Sequence, residues 1–235
     1  GHYARIHATD NHYQLLTGTD NEKDQSYFLY TLGQHELKHA LFPLGELNKQ
    51  DVRILAEQAG LHNHAKKDST GICFIGERPF KTFLSEYLLG KPGDIVTTEG
   101  DKIGRHDGLM FYTLGQRKGL DIGGLKSYSQ QPWYVIDKNT RNNQLIVAQN
   151  HQHHRLMRSQ LIFEQPHWVA ATAPTLPLEC RAKTRYHQEF HDCTLSAIDH
   201  NNFRVDFKHP QRAVTPGQSV VLYDNDICLG GGIIT

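Results

Sequence analysis

The last third of the chain constrains the fold most. From Leu176 onward, LECRAKTRY, HDCTLSAID, NFRVDFK, GQSVVLYDND and ICLGGGIIT follow one another at regular spacing, divided by Pro, Gly and Asx turn residues. On a strand, residues two apart share a face, so each segment can bury one side and expose the other. Five or six such strands with turn signals between them predict a small β-barrel or sandwich. The triplet Gly230–Gly232 inside the last segment marks a bulge or a close backbone approach.

Upstream, the period changes. From about Lys23 to Leu89 it is helical. KDQSYFLYTL places Phe28, Leu29 and Leu32 on one face, with Asp24 or Ser26 available as a cap. NKQDVRILAEQAG is the clearest helix: Asn48 caps it, Val52, Leu55, Ala56 and Ala59 form an apolar stripe expected to be buried, and Gly60 ends it. FKTFLSEYLLG repeats the pattern and ends on Gly90. After Gly90, GDIVTTEGDKIG predicts a hairpin around Glu99–Asp101, and WYVIDKNTRNNQLIVAQ predicts two strands joined by a polar turn. Asn150–Gln160, rich in His, is expected to be a linker. The fold class is therefore α+β, multidomain.

Charge narrows the function. Twenty-five basic and 25 acidic residues cancel, so no global field draws the chain to nucleic acid and any RNA contact must come from local patches. No apolar run has the length of a membrane span, and no signal-peptide pattern is present. Cys73, Cys180, Cys193 and Cys228 are scattered without a C-x-x-C pair, unlike zinc ribbons or disulfide scaffolds, which fits a reducing cytoplasm. The chain opens on GHYARI without a methionine, so it is expected to be a piece of something longer.

HELKH, His35 to His39, satisfies the zinc pattern H-E-x-x-H, with Glu57 as a possible third ligand. Its flanks are polar and Gly33 and Pro43 leave little more than two turns, so a solvated helix is the expectation and no bound metal is expected. Phosphate-binding glycine loops are absent. Three basic spots suit RNA: KTRYH, with Lys183 and Arg185 on one strand face and Thr184 and Tyr186 on the other, LGQRKG from Leu114 to Gly119, and Lys66–Lys67. Each also reads as ordinary solvated surface.

KDSTGICFIGERPF, Lys67 to Phe80, holds Cys73. A cysteine between Ile72 and Phe74 reads as a small buried hydrophobe. Lys66 and Lys67 before it, and a turn of amides over Asp68–Gly71, favour a reactive thiolate instead. Both readings stand on the residues alone.

The blocks GHYARI, KDQSYFLYTL, LFPLGEL, KKDSTGICFIGERPF, GLMFYTLGQRKGL, PWYVIDK, AKTRYHQ, AVTPGQSVVLY and CLGGGII, in this order, resemble the bacterial tRNA-specific 2-thiouridylases. STGICFIGER is the most specific of them. The resemblance implies ATP-dependent 2-thiolation of the wobble uridine of tRNAs for lysine, glutamate and glutamine. A PP-loop ATPase domain uses Mg-ATP to adenylate the uridine C2 oxygen, and a cysteine persulfide, loaded by a sulfur-relay protein, supplies sulfur. A second cysteine, in the N-terminal domain, assists release through a transient disulfide. By position, Cys73 is the catalytic persulfide cysteine, Gly1 touches ATP, and His2, Lys23, Asp24, Gln25, Arg185, Tyr186 and Gln218 contact tRNA. A persulfide is a strong nucleophile near neutral pH, which suits attack on an activated carbon of a flipped base.

The resemblance also implies an organisation: residues 1–82 as the end of the PP-loop domain with a helical segment and the cysteine loop, 83–150 as a small central β domain, and 151–235 as a tRNA-contacting antiparallel barrel. The protein is expected to be a cytoplasmic monomer, without membrane contact. The family's S-G-G-x-D-S-S loop and its first cysteine have no counterpart here, so these 235 residues alone are expected to be inactive. The other readings are a non-catalytic tRNA-binding module, which has no use for Cys73, and a sulfur carrier, which has no use for Arg185 or Gln218.

Overall fold

The computed structural model describes residues 2–10, 12–66, 80–125 and 127–235, with backbone only at 80 and 81. The chain divides into two compact units. One comprises Gly1–Lys66, Ser159–Pro210 and Thr215–Thr235, the other Lys67–Arg158 and Gln211–Val214.

The first unit opens on an antiparallel hairpin, β1 (Ala4–Ala8) and β2 (Tyr13–Thr17), in register Ala4 to Thr17. Its short strands lie outside the predicted β regions. Three helices follow: α1 (Ser26–Leu29), α2 (Gln34–His39) and α3 (Lys49–Gln58). The start of α3 at Asn48 and its stop at Gly60 hold, and Gly60 takes φ +69, the left-handed region glycine tolerates. Two details differ. The Asn48 side chain makes no cap bond, and Asp20 Oδ2 instead accepts from the Lys49 N–H at 2.9 Å. The apolar stripe is not buried: Val52 and Ala56 are half-buried, while Leu55 is 51% exposed and Ala59 is exposed. Periodicity creates the stripe, but only a neighbouring element can cover it.

In the second unit, α4 (Phe80–Ser85) is shorter than the apolar pattern and gives way to a turn over Glu86–Leu88. β3 (Gly93–Val96) and β4 (Lys102–His106) form the expected hairpin, and β5 (Tyr134–Asn139) pairs antiparallel with β6 (Gln144–Ala148). β3 joins β6 in parallel, giving the order β4-β3-β6-β5. Ile95, Val135, Leu145 and Val147 are fully buried between these strands and Tyr112 and Leu120. Each such burial is worth about 1.5–3 kcal/mol.

The barrel is built from β7 (Met157–Trp168), β8 (Leu178–Lys183), β9 (His191–Ala197), β10 (Phe203–Arg212), β11 (Ser219–Asp224) and β12 (Ile227–Ile234). The ring runs β7-β12-β11-β8-β9-β10 and closes because β12 pairs β11 on one side and β7 on the other. The five predicted C-terminal strands are all present. The expected linker is corrected: from Met157 it is already strand, because MRSQLIF points Leu161 and Phe163 into the barrel. Gly230–Gly232 serve the closure. A Cβ on Gly230 would run into the His167 carbonyl oxygen, one on Gly231 into that of Val220, and one on Gly232 into that of Glu164. The β2 edge of the N-terminal hairpin extends the sheet from β12, pairing Leu16 with Ile227.

The α+β multidomain class thus holds. Ala4, Leu15, Tyr27, Tyr30, Leu37, Val221, Tyr223 and Cys228 form one buried cluster that joins the hairpin and helices to the barrel wall.

Candidate nucleic-acid interface

β8 stops at Lys183 because Gln188 folds back on the chain: its Oε1 accepts from the Thr184 N–H at 3.0 Å and the Thr184 hydroxyl at 2.8 Å. Residues 184–188 are therefore a turn, which corrects the two-faced strand expected for KTRYH. Lys183 and Thr184 are buried, while Arg185 and Tyr186 are half-buried. Arg185 Nη2 donates to the Thr215 hydroxyl at 3.1 Å.

The facing loop, Asp20–Gln25, is closed by the Lys23 and Asp24 N–H groups, which donate to the Asp20 carbonyl at 3.0 and 2.8 Å. Gln25 pairs with the Tyr3 backbone: its N–H donates to Tyr3 O at 2.8 Å, and its Oε1 accepts from Tyr3 N at 3.1 Å. The Asp24 carboxylate is 3% exposed as a residue and is engaged on every side. It accepts from Gly18 N at 3.0 Å, Ser26 N at 3.1 Å and Ser26 Oγ at 3.0 Å, and Lys183 Nζ lies 3.6 Å away. The Phe190 ring covers the same ammonium at 4.1 Å from its centroid. Burial lowers the Lys183 pKa, and Asp24 opposes the shift.

Between the two loops lies a cleft of about 560 Å³, lined among others by Asn21, Lys23, Asp24, Lys183, Tyr186 and Phe190. The Tyr186 ring sits 4.4 Å from that of Phe28, which is 55% exposed. Beside it, Tyr27 donates to Ser219 O at 2.9 Å, and burial pushes its phenol up to about 12. The Gln218 N–H donates to Thr215 O at 3.2 Å, which sets Gln218 in the same turn that holds Arg185. Its Oε1 is buried with no hydrogen-bond partner among the described residues.

The structure thus brings Lys23, Asp24 and Tyr186 around one cleft, and Arg185 and Gln218 around the Thr215 turn. His2 is exposed at the foot of Gln25's partner Tyr3. Gly1 and Cys73 lie outside the described residues. Phe190 and Phe28 were not distinguished as parts of this site by sequence, and Lys183, read there as a surface cation beside Arg185, is instead buried. The pairing of Lys183 with Asp24 leaves no local signal.

The other candidates look different. In HELKH the Glu36 Oε2 accepts from the Gly33 N–H at 2.9 Å, and backbone hydrogen bonds hold its carboxyl below the usual range. His39 Nδ1 pairs with the His35 carbonyl at 2.8 Å. Among the described residues no three His, Cys, Asp or Glu side chains gather to hold a metal. Arg117 and Lys118 of LGQRKG are exposed in the second unit, as is Lys66 in the first; Lys67 lies outside the described residues. Cys180 and Cys193 face each other across β8 and β9, their sulfurs 3.7 Å apart. Their mutual contact and burial push Cys193 well up, and burial pushes Cys228 to about 12, so neither is a thiolate at neutral pH. Among the described residues no helix is long and apolar enough to cross a membrane.

Three family models match in succession: a tRNA methyl transferase HUP domain over residues 1–77, a tRNA methyl transferase PRC-barrel domain over 81–149, and an aminomethyltransferase beta-barrel domain over 158–234. Among curated proteins, the tRNA-specific 2-thiouridylase of Marinomonas sp. is 56% identical over 234 residues, covering all of this chain and 60% of that protein. Its namesakes from Methylococcus capsulatus and Proteus mirabilis are 58% and 56% identical, again over all of this chain and 64% of theirs. The chain thus spans about 60–64% of the length of these relatives. At this level of identity over the whole chain, with three consecutive matching domains, the chain is similar along its full length to the tRNA-specific 2-thiouridylases.

Proposed function

We propose that the protein to which this chain belongs transfers sulfur to C2 of a tRNA wobble uridine, with this chain supplying much of the tRNA grip and the sulfur-carrying Cys73. The observation that carries the tRNA part is the cleft between Asn21–Asp24 and Lys183–Phe190. It joins a cation, Lys23, to a half-exposed aromatic, Tyr186, the pairing that holds phosphate and base of an unstacked nucleotide. On this reading Arg185, Gln218, Gln25 and His2 also contact the tRNA. Asp24, its carboxylate consumed by protein partners, serves the cleft from beneath.

The sulfur part rests on Cys73 and on the names of the relatives. Cys193 and Cys228, buried with raised thiols, are poor nucleophiles, and it is the resemblance that assigns the persulfide to Cys73. Adenylation of the C2 oxygen by Mg-ATP is what the cosubstrate would contribute. Its one assigned contact in this chain, Gly1, lies outside the described residues. A three-part organisation at 1–82, 83–150 and 151–235, tRNA acceptors for lysine, glutamate and glutamine, a sulfur-relay partner, a cytoplasmic monomer, and inactivity of the isolated 235 residues complete the proposal.

The test uses the full-length natural chain. ATP-dependent sulfur incorporation into unmodified tRNA is measured for wild type and Cys73→Ser, alongside tRNA binding. Activity lost in the serine variant, with binding retained, is expected. Equal activity in both would make Cys73 structural. Binding without activity in either would favour the tRNA-binding module.

A further inference from the structure

We infer that Lys183 is a positioning residue of the RNA site: its buried pairing with Asp24 pins the Asp20–Gln25 loop to the end of β8 and so sets Lys23 and Tyr186 across one cleft. The inference rests on the tRNA reading above.

Both partners are nearly sealed, with side-chain exposure of 6% for Lys183 and 2% for Asp24, and 3.6 Å separates Nζ from Oδ2. A buried ammonium is costly unless it is paired, and so is a buried carboxylate. The other groups that bond Asp24 are Gly18 N, Ser26 N and Ser26 Oγ, all from its own end of the chain. Lys183 is its charged partner from the barrel. The far side of the ammonium is covered by Phe190, over which the Arg181 guanidinium also lies, at 4.5 Å. So enclosed, Lys183 cannot reach a phosphate. It acts through its neighbours.

Those neighbours are the groups the cleft presents. Lys23 adjoins Asp24 in sequence, and Tyr186 lies one turn beyond Lys183. The ring of Tyr186 meets Phe28, just past Ser26 on the other side of the pin. Moving the loop off β8 therefore separates cation from aromatic, although neither is itself altered.

The full-length natural chain is titrated with unmodified tRNA at several salt concentrations, as wild type, Lys183→Met, Asp24→Asn and the double variant. Each single variant strands one buried charge or its partner, and is expected to weaken binding of the folded protein about tenfold. The double variant removes the mismatch and recovers most of the affinity. The slope of log K against log salt stays at the wild-type value, because Lys183 neutralises no phosphate. Three results would overturn the inference. They are wild-type affinity in folded Lys183→Met, a salt slope lower by about one, and a double variant no tighter than the singles. Should a single variant fail to fold, the double variant alone decides, through its affinity and slope. Absence of tRNA binding by wild type would overturn the tRNA reading itself, and this inference with it.

Discussion

Tyr223 and Ser26, 197 residues apart in sequence, share a buried hydroxyl contact of 3.1 Å. Ser26 Oγ gives its own proton to Asp24 Oδ2 at 3.0 Å, so Tyr223 must be the donor to Ser26. A chain of hydrogen bonds runs from the C-terminal end of β11 through the start of α1 to the carboxylate beneath the cleft.

Tyr223→Phe leaves the ring in its packed site and deletes the donor. Loss of one net hydrogen bond costs about 0.5–1.5 kcal/mol. In a protein of this size that lowers the melting temperature by about 1–6 °C. tRNA affinity of the folded protein should hardly change, since Lys183 still pairs with Asp24. Thermal unfolding read beside a binding titration checks both, and a stable but non-binding variant would contradict the second.

Gly230→Ala should be far more damaging. Gly230 has φ +132 and a Cβ there would meet the His167 carbonyl oxygen, on the strand that closes the ring. Steric conflict and a forbidden backbone region together cost about 3 kcal/mol or more. The expected result is a protein that fails to close its barrel, seen as lost near-ultraviolet dichroism and protease sensitivity of β7 and β12. By contrast, Gly217→Ala meets no atom within 4 Å and bears only the strain of φ +82. It should fold.

Alkaline pH should destabilise the first unit. Burial raises the Tyr27 phenol from 10.0 to about 12 and the Cys228 thiol from 9.0 to about 12. Both hold their proton more tightly folded than unfolded, so their contribution is complete below the unfolded values and is lost as pH climbs toward the folded ones. The descent begins near 9.0 with the thiol and deepens above 10.0 with the phenol. Lys183, whose lowered proton affinity has the opposite sign, softens it over part of that range. Urea midpoints from about pH 8 to about pH 11 should fall, and less steeply in Tyr27→Phe and Cys228→Ala. A flat or rising midpoint in the parent protein would refute the assignment.

Much of this was legible in the sequence. The five C-terminal strands, the hairpin around Glu99–Asp101 and the paired strands of the central β unit follow from two-residue alternation between turn residues, which is a local signal. Gly230–Gly232 announced a close backbone approach for the same reason. The strand β7 escaped because Met157–Gln160 continue a polar, histidine-rich stretch, and only Leu161 and Phe163 betray the inward face. The stripe of α3 was correctly periodic, yet Leu55 is exposed.

By itself, then, the sequence determined which residues share a face, where the turns fall, and through its motif blocks which family the chain resembles. Only the tertiary structure decided that β12 closes the ring on β7, that Lys183 is buried rather than offered to solvent, and that Asp24 is its partner. Periodicity is a property of neighbours along the chain. Burial and charge pairing are set by whichever distant segment comes to lie opposite, and no local pattern encodes that.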